Sequence, residues 1–398
     1  MKLKGEEIKR LSLLAYFDRN WSPMSVPSSC DNPGLVTPCL EVPWSQAQWD
    51  KVRQVVAAEA QKSRVAAGFL SLYGPLPGDT DFVRRDLISA YLSPSSSLSG
   101  SGTKQQRLEI DDTSTIRLWT LQVNLHLRGP QLSDPEMTSV LALFRRAANV
   151  LARLEDTVVF NGIPMLSDPP PAKPSPATRQ MDLLPPIWEI LGRRVNDESR
   201  LMPGLLPLSP QPCPGYDPSA AEVDRDQNCP FRQWETIPWT EPGPPRKPDD
   251  FAKLGNLLVG VISEAIGRLE GKGHYGPFAV VLGQYLFQAL QTPNSTSLVL
   301  PQDRVIPFLG AGGSLQRSTT LPDDQAVIVA LGGDPVELVI AKDIAVDFLQ
   351  VTQDPSYVFR LHEKLVLRIK TPGAIRGLRL PDPSSQATKA SRSASIGK

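Results

Sequence analysis

Histidines are the first residues of this 398-residue chain to consider for chemistry. The three histidines, His126, His274 and His362, are far apart in sequence and share no motif. His126 lies in an alternating strand pattern, which favours a structural role, and His274 has the neighbours of a loop residue. Because no nucleophile or second base stands at a defined spacing from any of them, the sequence predicts no general acid or base.

The four cysteines, Cys30, Cys39, Cys213 and Cys229, do not form a metal-binding or redox motif. No pair has the C-x-x-C spacing, and no histidine stands at zinc-ligand spacing from them. We interpret them as reduced thiols, as is typical of cytosolic proteins. Two disulfides, Cys30–Cys39 and Cys213–Cys229, remain the alternative, since each pair falls within one unusual segment. We expect neither a metal nor a cofactor.

Two other patterns have the residue types of a catalytic site but not its spacing. The string GAGGS at 310–314 lacks the Lys–Ser/Thr ending of a phosphate-binding loop, and we interpret it as a turn. Glu155 and Asp156 are adjacent in a helical pattern, so their side chains point to different sides and do not form an acid–base pair. The sequence therefore predicts that this protein is not an enzyme.

Composition argues against nucleic acid and membrane partners. Lys plus Arg and Asp plus Glu both number 42, which gives a formal net charge of zero, and no basic stripe is present. No apolar run approaches the roughly 20 residues of a membrane-spanning helix. Because no signal peptide is apparent, we expect a soluble cytoplasmic protein.

Helical and strand periodicities predict the elements that must position any site. A helix is predicted to start at the capping residue Ser45 and to end at Gly68. Leu108 to Leu127 alternates as a strand, and a long helix with Ser133 as its capping residue is predicted at Ser133–Phe160. These elements are expected to form the framework of the N-terminal half.

The rest of the chain divides into an irregular segment and a second ordered one. Residues 163–248 hold about half of the 40 prolines, so we expect mostly loop there, with a helix at Leu183–Arg194. The later predictions are a helix at Phe251–Leu269, a strand at 276–283, a helix at 284–290, and strands at Ala326–Leu331, Val336–Ile340 and Tyr357–Ile369. A short helix at Ile8–Phe17 is also predicted.

Five strings, in order, resemble the shell proteins of encapsulin nanocompartments, the linocin-like "bacteriocin" family. The strings are PWSQAQW at 43–49, FLSLYGPLPG at 69–78, IRLWTLQVNLHL with the long helix and LEDTVVFNG that follow it, YGPFAVVLGQYLFQAL at 275–290, and the C-terminal stretch from DDQAVIVALGGDPVELVIAKDIAVDFL to FRLHEKLVLRIKTPGAI. The resemblance covers about 43–162 and 249–376.

The resemblance implies an α+β fold of the HK97 capsid type, with an extended loop, a peripheral domain of spine helix plus strands, and an axial domain. The implied divisions are an N-terminal extension at 1–41, an N-terminal helix at 42–69, an extended loop at 70–125, a peripheral domain at 126–162 and 335–380, an axial domain at 163–334 that includes a Pro-rich insertion at 163–248, and a disordered tail at 381–398.

In function, the resemblance implies a structural protein that assembles with itself, in multiples of sixty subunits, into an icosahedral nanocompartment in the cytoplasm. The shell would enclose a cargo enzyme, ferritin-like or a peroxidase, on its luminal side. An extended loop does not bury its own strands, so a neighbouring subunit is needed to complete the sheet. The alternatives are a phage-type major capsid protein that packages DNA and a secreted bacteriocin or protease.

A cargo-docking site is also carried over, onto the first helix and a nearby strand. The matching positions are Val56, Ala60, Arg64, Ala67, Ile344, Val346 and Phe348. Arg64 stands where an apolar residue is usual in the family, and ordinary core packing is the alternative for the whole set. We further expect residues 32–40 to cover or replace the docking groove, and the Pro-rich insertion to decorate or narrow the five-fold pore.

Overall fold

The computed structural model divides the chain into Met1–Val42 and Pro43–Lys398, and all the helices and strands given below belong to the second unit. The structure describes residues 42, 44–92, 106–111, 113–164, 176–193, 202–206, 234–241, 243–293, 299–352, 354 and 356–381. The four cysteines, the helix expected at Ile8–Phe17 and the segments 32–40 and 382–398 lie outside the described residues.

Helix α1 (Gln46–Ser63) starts where the sequence predicts, because Ser45 and Gln48 form a reciprocal capping box. It ends at Ser63 and not at Gly68, since the chain then turns so that two backbone N–H groups donate to the carboxylate of Asp156. That carboxylate takes the place of the preceding turn's carbonyl oxygens as the acceptor for these groups.

A five-stranded sheet forms the body next to α1. Its strands are β1 (Ser71–Tyr73), β6 (Trp119–Arg128), β7 (Trp188–Leu191), β12 (Val336–Val351) and β13 (Ser356–Ile369). The order is β1-β12-β13-β6-β7, with β1 parallel to β12 and all other neighbours antiparallel. Alternate residues of β6 are buried, as the sequence pattern predicts for a strand with one face on a core.

Four short strands form a projection that we call the arm: β2 (Phe82–Arg84), β3 (Leu87–Leu92), β4 (Gln106–Asp111) and β5 (Thr115–Arg117). β2 pairs with β5 near the body, and β3 pairs with β4 further out, as two separate antiparallel ladders. These strands fall within the extended loop expected at 70–125. β6, which starts at Trp119 within the same range, pairs with β13 in the body sheet.

The long helix α3 (Thr138–Asn161) packs on β6, β13 and α1, as a spine for the body. The predicted start at Ser133 is wrong, because Gly129–Leu132 forms a separate short helix, α2. The Ser133 hydroxyl donates back to the carbonyl oxygens of this turn and does not cap α3. Most of α3 is buried, and each large apolar side chain there contributes roughly 1.5–3 kcal/mol to folding.

A second five-stranded sheet is built from four strands between β7 and β12 and one strand after β13. Its strands are β8 (Trp234–Thr236), β9 (Phe278–Leu282), β10 (Ser314–Arg317), β11 (Gln325–Ala330) and β14 (Ile375–Arg379). The order is β10-β9-β11-β14-β8, with β10 parallel to β9, β8 parallel to β14, and the central pairs antiparallel.

Helices cover this second sheet. They are α5 (Pro248–Gly271), α6 (Gln284–Gln291) and α7 (Pro301–Val305), and a further helix, α4 (Pro176–Asp182), packs on α3. The predicted helices at Phe251–Leu269 and 284–290 and the strand at 276–283 are confirmed. The α+β class is confirmed as well, and no helix in the described part of the chain has the length and apolarity needed to cross a membrane.

Two sequence expectations are to be compared with the strand pairing. Within the stretch 335–380, expected to belong to the peripheral domain, β14 pairs with β11 and β8 in the second sheet. The helix expected at Leu183–Arg194 is replaced by strand β7, which pairs with β6 and buries Ile190. The apolar spacing there is short enough to fit either element, and the free edge of β6 decides in favour of a strand.

Parts of the Pro-rich insertion are ordered against the body and are not all loop. Besides β7 and β8, residues 202–206 lie along the end of α3. Met202 bridges to Ile163, and the N–H groups of Leu205 and Leu206 donate to carbonyl oxygens of the last turn of α3. These contacts satisfy carbonyl groups that have no partner within the helix.

Candidate functional site

The seven residues expected to dock cargo lie on or just after α1 and on the distal half of β12, and the structure packs α1 against β12. Val56 and Ala60 are 1% and 3% exposed, where α1 packs on α3. Their side chains belong to the core of the subunit. For these two positions the core-packing alternative describes the structure better than docking does.

The other apolar positions are partly accessible. Ala67 is half-buried in the turn after α1, and Ile344, Val346 and Phe348 are half-buried on β12. β1 pairs with β12 only as far as Val339, so the outer edge of the distal half has no partner among the described strands. Bulges interrupt the register of this half, and irregular edges of this kind resist unspecific pairing.

Phe348 packs against an aromatic cluster of the body. Its ring centroid lies 5.5 Å from that of Phe359, which stacks on Trp44 at 5.0 Å and meets Phe144 edge-on at 5.6 Å. Phe359 and Phe144 are fully buried. The cluster links the start of α1, the spine helix and the β12–β13 hairpin, so that Phe348 presents a rigid apolar surface at their margin.

Arg64 does not belong to this apolar surface. Its Nε lies 2.5 Å from Glu155 Oε2, its Nη2 2.7 Å from Glu363 Oε2, and its Nη1 2.8 Å from Asp343 Oδ1. Glu155 and Glu363 are buried, whereas Asp343 is partly exposed. One cation therefore joins the end of α1 to α3, β12 and β13 through three carboxylates, a set that we call the Arg64 cluster.

Burial sets the protonation preferences of the Arg64 cluster. It raises the pKa of Glu155, and burial together with the charge of Glu155 raises the pKa of Glu363 well above its ordinary value. Burial opposes the charge of Arg64, but the carboxylates around it hold its pKa above the ordinary value. Because two buried carboxylates share one arginine, the cluster favours a retained proton on this pair.

Asp156 provides a second link between α3 and α1. Its Oδ1 accepts the N–H groups of Val65 at 3.1 Å and Ala66 at 2.8 Å. Burial, reinforced by the adjacent charge of Glu155, raises the pKa of Asp156 to about 8. The adjacent carboxylates therefore diverge as expected, one toward Arg64 and the other toward the backbone.

Two of the histidines lie on the paired strands β6 and β13. His126 is exposed on β6. His362 is buried on β13, with Nε2 3.5 Å from Asp347 Oδ2, and burial lowers its pKa to about 4. Residues 310–313 form a turn before β10. Within the described ranges, no three His, Cys, Asp or Glu side chains lie close enough together to hold a metal ion.

The arm exposes large apolar side chains to solvent. Phe82 and Ile110 are each 60% exposed, and Ile88 also faces solvent. Each ladder of the arm has two strands, and no third strand pairs with either of them among the strands that the structure describes. Two-stranded ladders are marginally stable in water, so an arm of this kind needs another surface to cover it.

A family comparison identifies related proteins. Residues 246–366 match the family described as "Encapsulating protein for peroxidase". The chain is 32% identical over 143 residues to the type 1 encapsulin shell protein EncA of Myxococcus xanthus (strain DK1622), a match that spans 35% of this chain and 44% of that relative. It is 22% identical over 336 residues to the diheme-cytochrome-encapsulin shell fusion protein of Kuenenia stuttgartiensis, covering 84% of this chain and 73% of that protein.

Solved capsid structures are similar as well. The virus-like particle from Pyrococcus furiosus has a TM-score of 0.48 at 14% identity, covering 83% of this chain and 99% of that one. The capsid of Myoviridae phage XM1 has a TM-score of 0.45 at 12% identity, covering 78% and 90%. Both named relatives are encapsulin shell proteins, and the matches to the family and to EncA each span less than half of this chain.

Proposed function

We propose that this chain is a shell subunit that assembles with copies of itself into a closed icosahedral nanocompartment. The arm carries this proposal, because it projects two-stranded ladders with exposed Phe82, Ile88 and Ile110 that its own subunit leaves uncovered. A neighbouring copy that covers the arm presents its own arm to the next copy. Such heterologous contacts close into a shell when the rotation between subunits is fixed.

The proposed cargo is an enzyme held on the luminal face, and the shell itself carries no catalysis. The description of the matching family, an encapsulating protein for peroxidase, supports an enzyme cargo. The proposed docking surface consists of Ala67, Ile344, Val346 and Phe348. These side chains are half-buried, and the aromatic cluster and the Arg64 cluster hold the elements that carry them.

Val56, Ala60 and Arg64 would act beneath this surface and not within it. The two apolar residues fix α1 on α3, and Arg64 fixes the end of α1 on the β12–β13 hairpin. A docking peptide would then meet a preformed surface, which lowers the entropy lost on binding. The compartment is proposed to reside in the cytoplasm.

Charge substitutions in the arm test the assembly proposal. Ile110→Asp is expected to give a folded subunit that no longer forms large particles in sedimentation velocity, because a carboxylate would be buried against the neighbouring copy. Leu183→Asp is the matched control, since Leu183 is 66% exposed but lies outside the arm. Assembly of Ile110→Asp at the level of the wild type would contradict the role given to the arm.

A further inference from the structure

Arg368 on β13 lies where the arm joins the body. Its side chain is buried, with Nε 3.0 Å from Glu337 Oε2 on β12 and the guanidinium carbon 4.4 Å from the ring centre of Tyr73 on β1. Lys370 also pairs with Glu337, at 2.5 Å. A planar guanidinium held on one edge by a carboxylate and on its face by an aromatic ring has a fixed orientation.

The remaining edge of this guanidinium points into the arm. Arg368 Nη1 lies 2.9 Å from Asp86 Oδ2. Asp86 follows β2 and precedes β3, so it stands at the junction between the inner and outer ladders. Its φ of 51° lies in the left-handed region, where the chain changes direction. Next to it, the N–H of Ile88 donates to the carbonyl oxygen of Lys370 at 2.8 Å.

The two ladders are separate sheets. The angle between the outer ladder and the inner one is therefore set by the contacts at this bend. The six residues of β3 extend about 20 Å at about 3.3 Å per residue. A rotation of about 10° at the junction therefore moves the far end of this strand by about 3.5 Å. A displacement of that size changes the angle at which a neighbouring copy covers the arm.

We propose that Arg368 is a positioning residue whose ion pair with Asp86 sets the angle of the outer arm, and through it the curvature and size of the shell. The inference rests on the proposed function, since it needs copies of the chain that assemble through the arm. The inner ladder is fixed separately, by Lys364 Nζ at 2.6 Å from Asp81 Oδ1. The Lys364–Asp81 pair lies before β2, on the inner side of the junction, whereas the Arg368–Asp86 pair lies at the junction itself.

Asp86→Asn tests the inference with little risk to folding, because asparagine also tolerates the left-handed conformation. Particles purified from the chain expressed alone would be sized by electron microscopy and native mass spectrometry. We expect the wild type to give one size class, and Asp86→Asn to lose it and give several classes or open sheets. The midpoint of thermal unfolding of the dissociated subunit should stay close to that of the wild type.

Asp81→Asn is the matched control, since it removes the same charge from the same arm on the other side of the junction, and it should keep the single size class. Unchanged particle size in Asp86→Asn would overturn the inference and leave the proposed function intact. Altered size in both variants would overturn the assignment to Arg368. Absence of particles from the wild type would overturn the proposed function and this inference with it.

Discussion

The guanidinium of Arg64 lies 2.5 Å from the carboxylate of Glu155 and thereby joins the residue after α1 to the buried face of α3. Glu363 of β13 approaches the same guanidinium from the other side. Three elements that meet beside the proposed docking surface are thus held by one cation. Glu155 and Glu363 are buried and Arg64 nearly so, and we assign the cluster a structural role.

Removal of Arg64 should destabilise the subunit strongly. Arg64→Met would leave two buried carboxylates without their cation, for which we expect a loss of about 3–5 kcal/mol in the free energy of unfolding. Denaturant unfolding of the dissociated subunit measures this loss. Arg53→Met is the control, because Arg53 forms an exposed pair with Asp50, and its effect should stay within about 0.5 kcal/mol. Equal stabilities of the two variants would contradict the assigned role.

The raised pKa of Asp156 predicts a pH dependence of stability. Between its ordinary value of 3.8 and about 8, the folded subunit holds a proton that the unfolded chain releases. The free energy of unfolding should therefore fall as pH rises through this window, by up to about 1.4 kcal/mol per unit, and level off above about pH 8. The buried Glu155 and Glu363 have raised pKa values and act in the same direction.

Asp156→Asn isolates the contribution of this group to the pH profile. The asparagine oxygen still accepts the N–H groups of Val65 and Ala66 that bond to Oδ1 in the wild type, whereas the second contact of the Val65 N–H, 3.0 Å from Oδ2, is lost. We expect a shallower fall in unfolding free energy between about pH 4 and pH 8 for the variant. Parallel profiles for the two proteins would show that Asp156 titrates normally in the folded state.

Phe348 should contribute to cargo docking, whereas its neighbour Leu349 should not. Replacing Phe348 by serine removes an apolar contact from the proposed surface, and we expect cargo affinity to fall by about ten-fold or more. The amount of cargo that co-purifies per shell is the measurement. Leu349→Ser is the control, since Leu349 is exposed on the same strand and follows Phe348 directly. Equal loading of both variants would remove Phe348 from the site.

Gly204 tests the contact between the Pro-rich insertion and the spine helix. An added Cβ there would lie 2.4 Å from the backbone of Gly162 and Phe160, so Gly204→Ala should destabilise the subunit by about 1–3 kcal/mol. Gly260→Ala places the same methyl group in open space on α5 and should be neutral or slightly stabilising. If both substitutions changed the unfolding free energy alike, residues 202–206 would not pack as described.

Elements with long, regular apolar periodicity could be predicted from the sequence. The helices α1, α3 and α5 and the central strands follow from it, because each buries one face or both. The start of α3 was missed, since Ser133 has the side chain of a capping residue but bonds to the preceding turn. β7 was missed because its conformation depends on pairing with β6, which sequence spacing does not encode.

The proposed docking surface could be predicted less well than the fold. The positions carried over lie on elements that do pack together, but only the structure separates the core residue Val56 from the accessible Phe348. The Arg64 cluster has one signal in the sequence, an arginine at a position where the resemblance to encapsulin shell proteins implies an apolar residue. Its partner Glu363 is distant along the chain, so neither spacing nor periodicity points to the ion pair.

Electron microscopy of the purified chain expressed alone tests the central claim most directly. The account predicts closed shells of uniform diameter in which the arm of each subunit lies against a neighbouring copy. Their presence without any added partner would establish that the described subunit contains what assembly requires. A population of monomers or small oligomers, with a folded subunit and an exposed arm, would contradict the account.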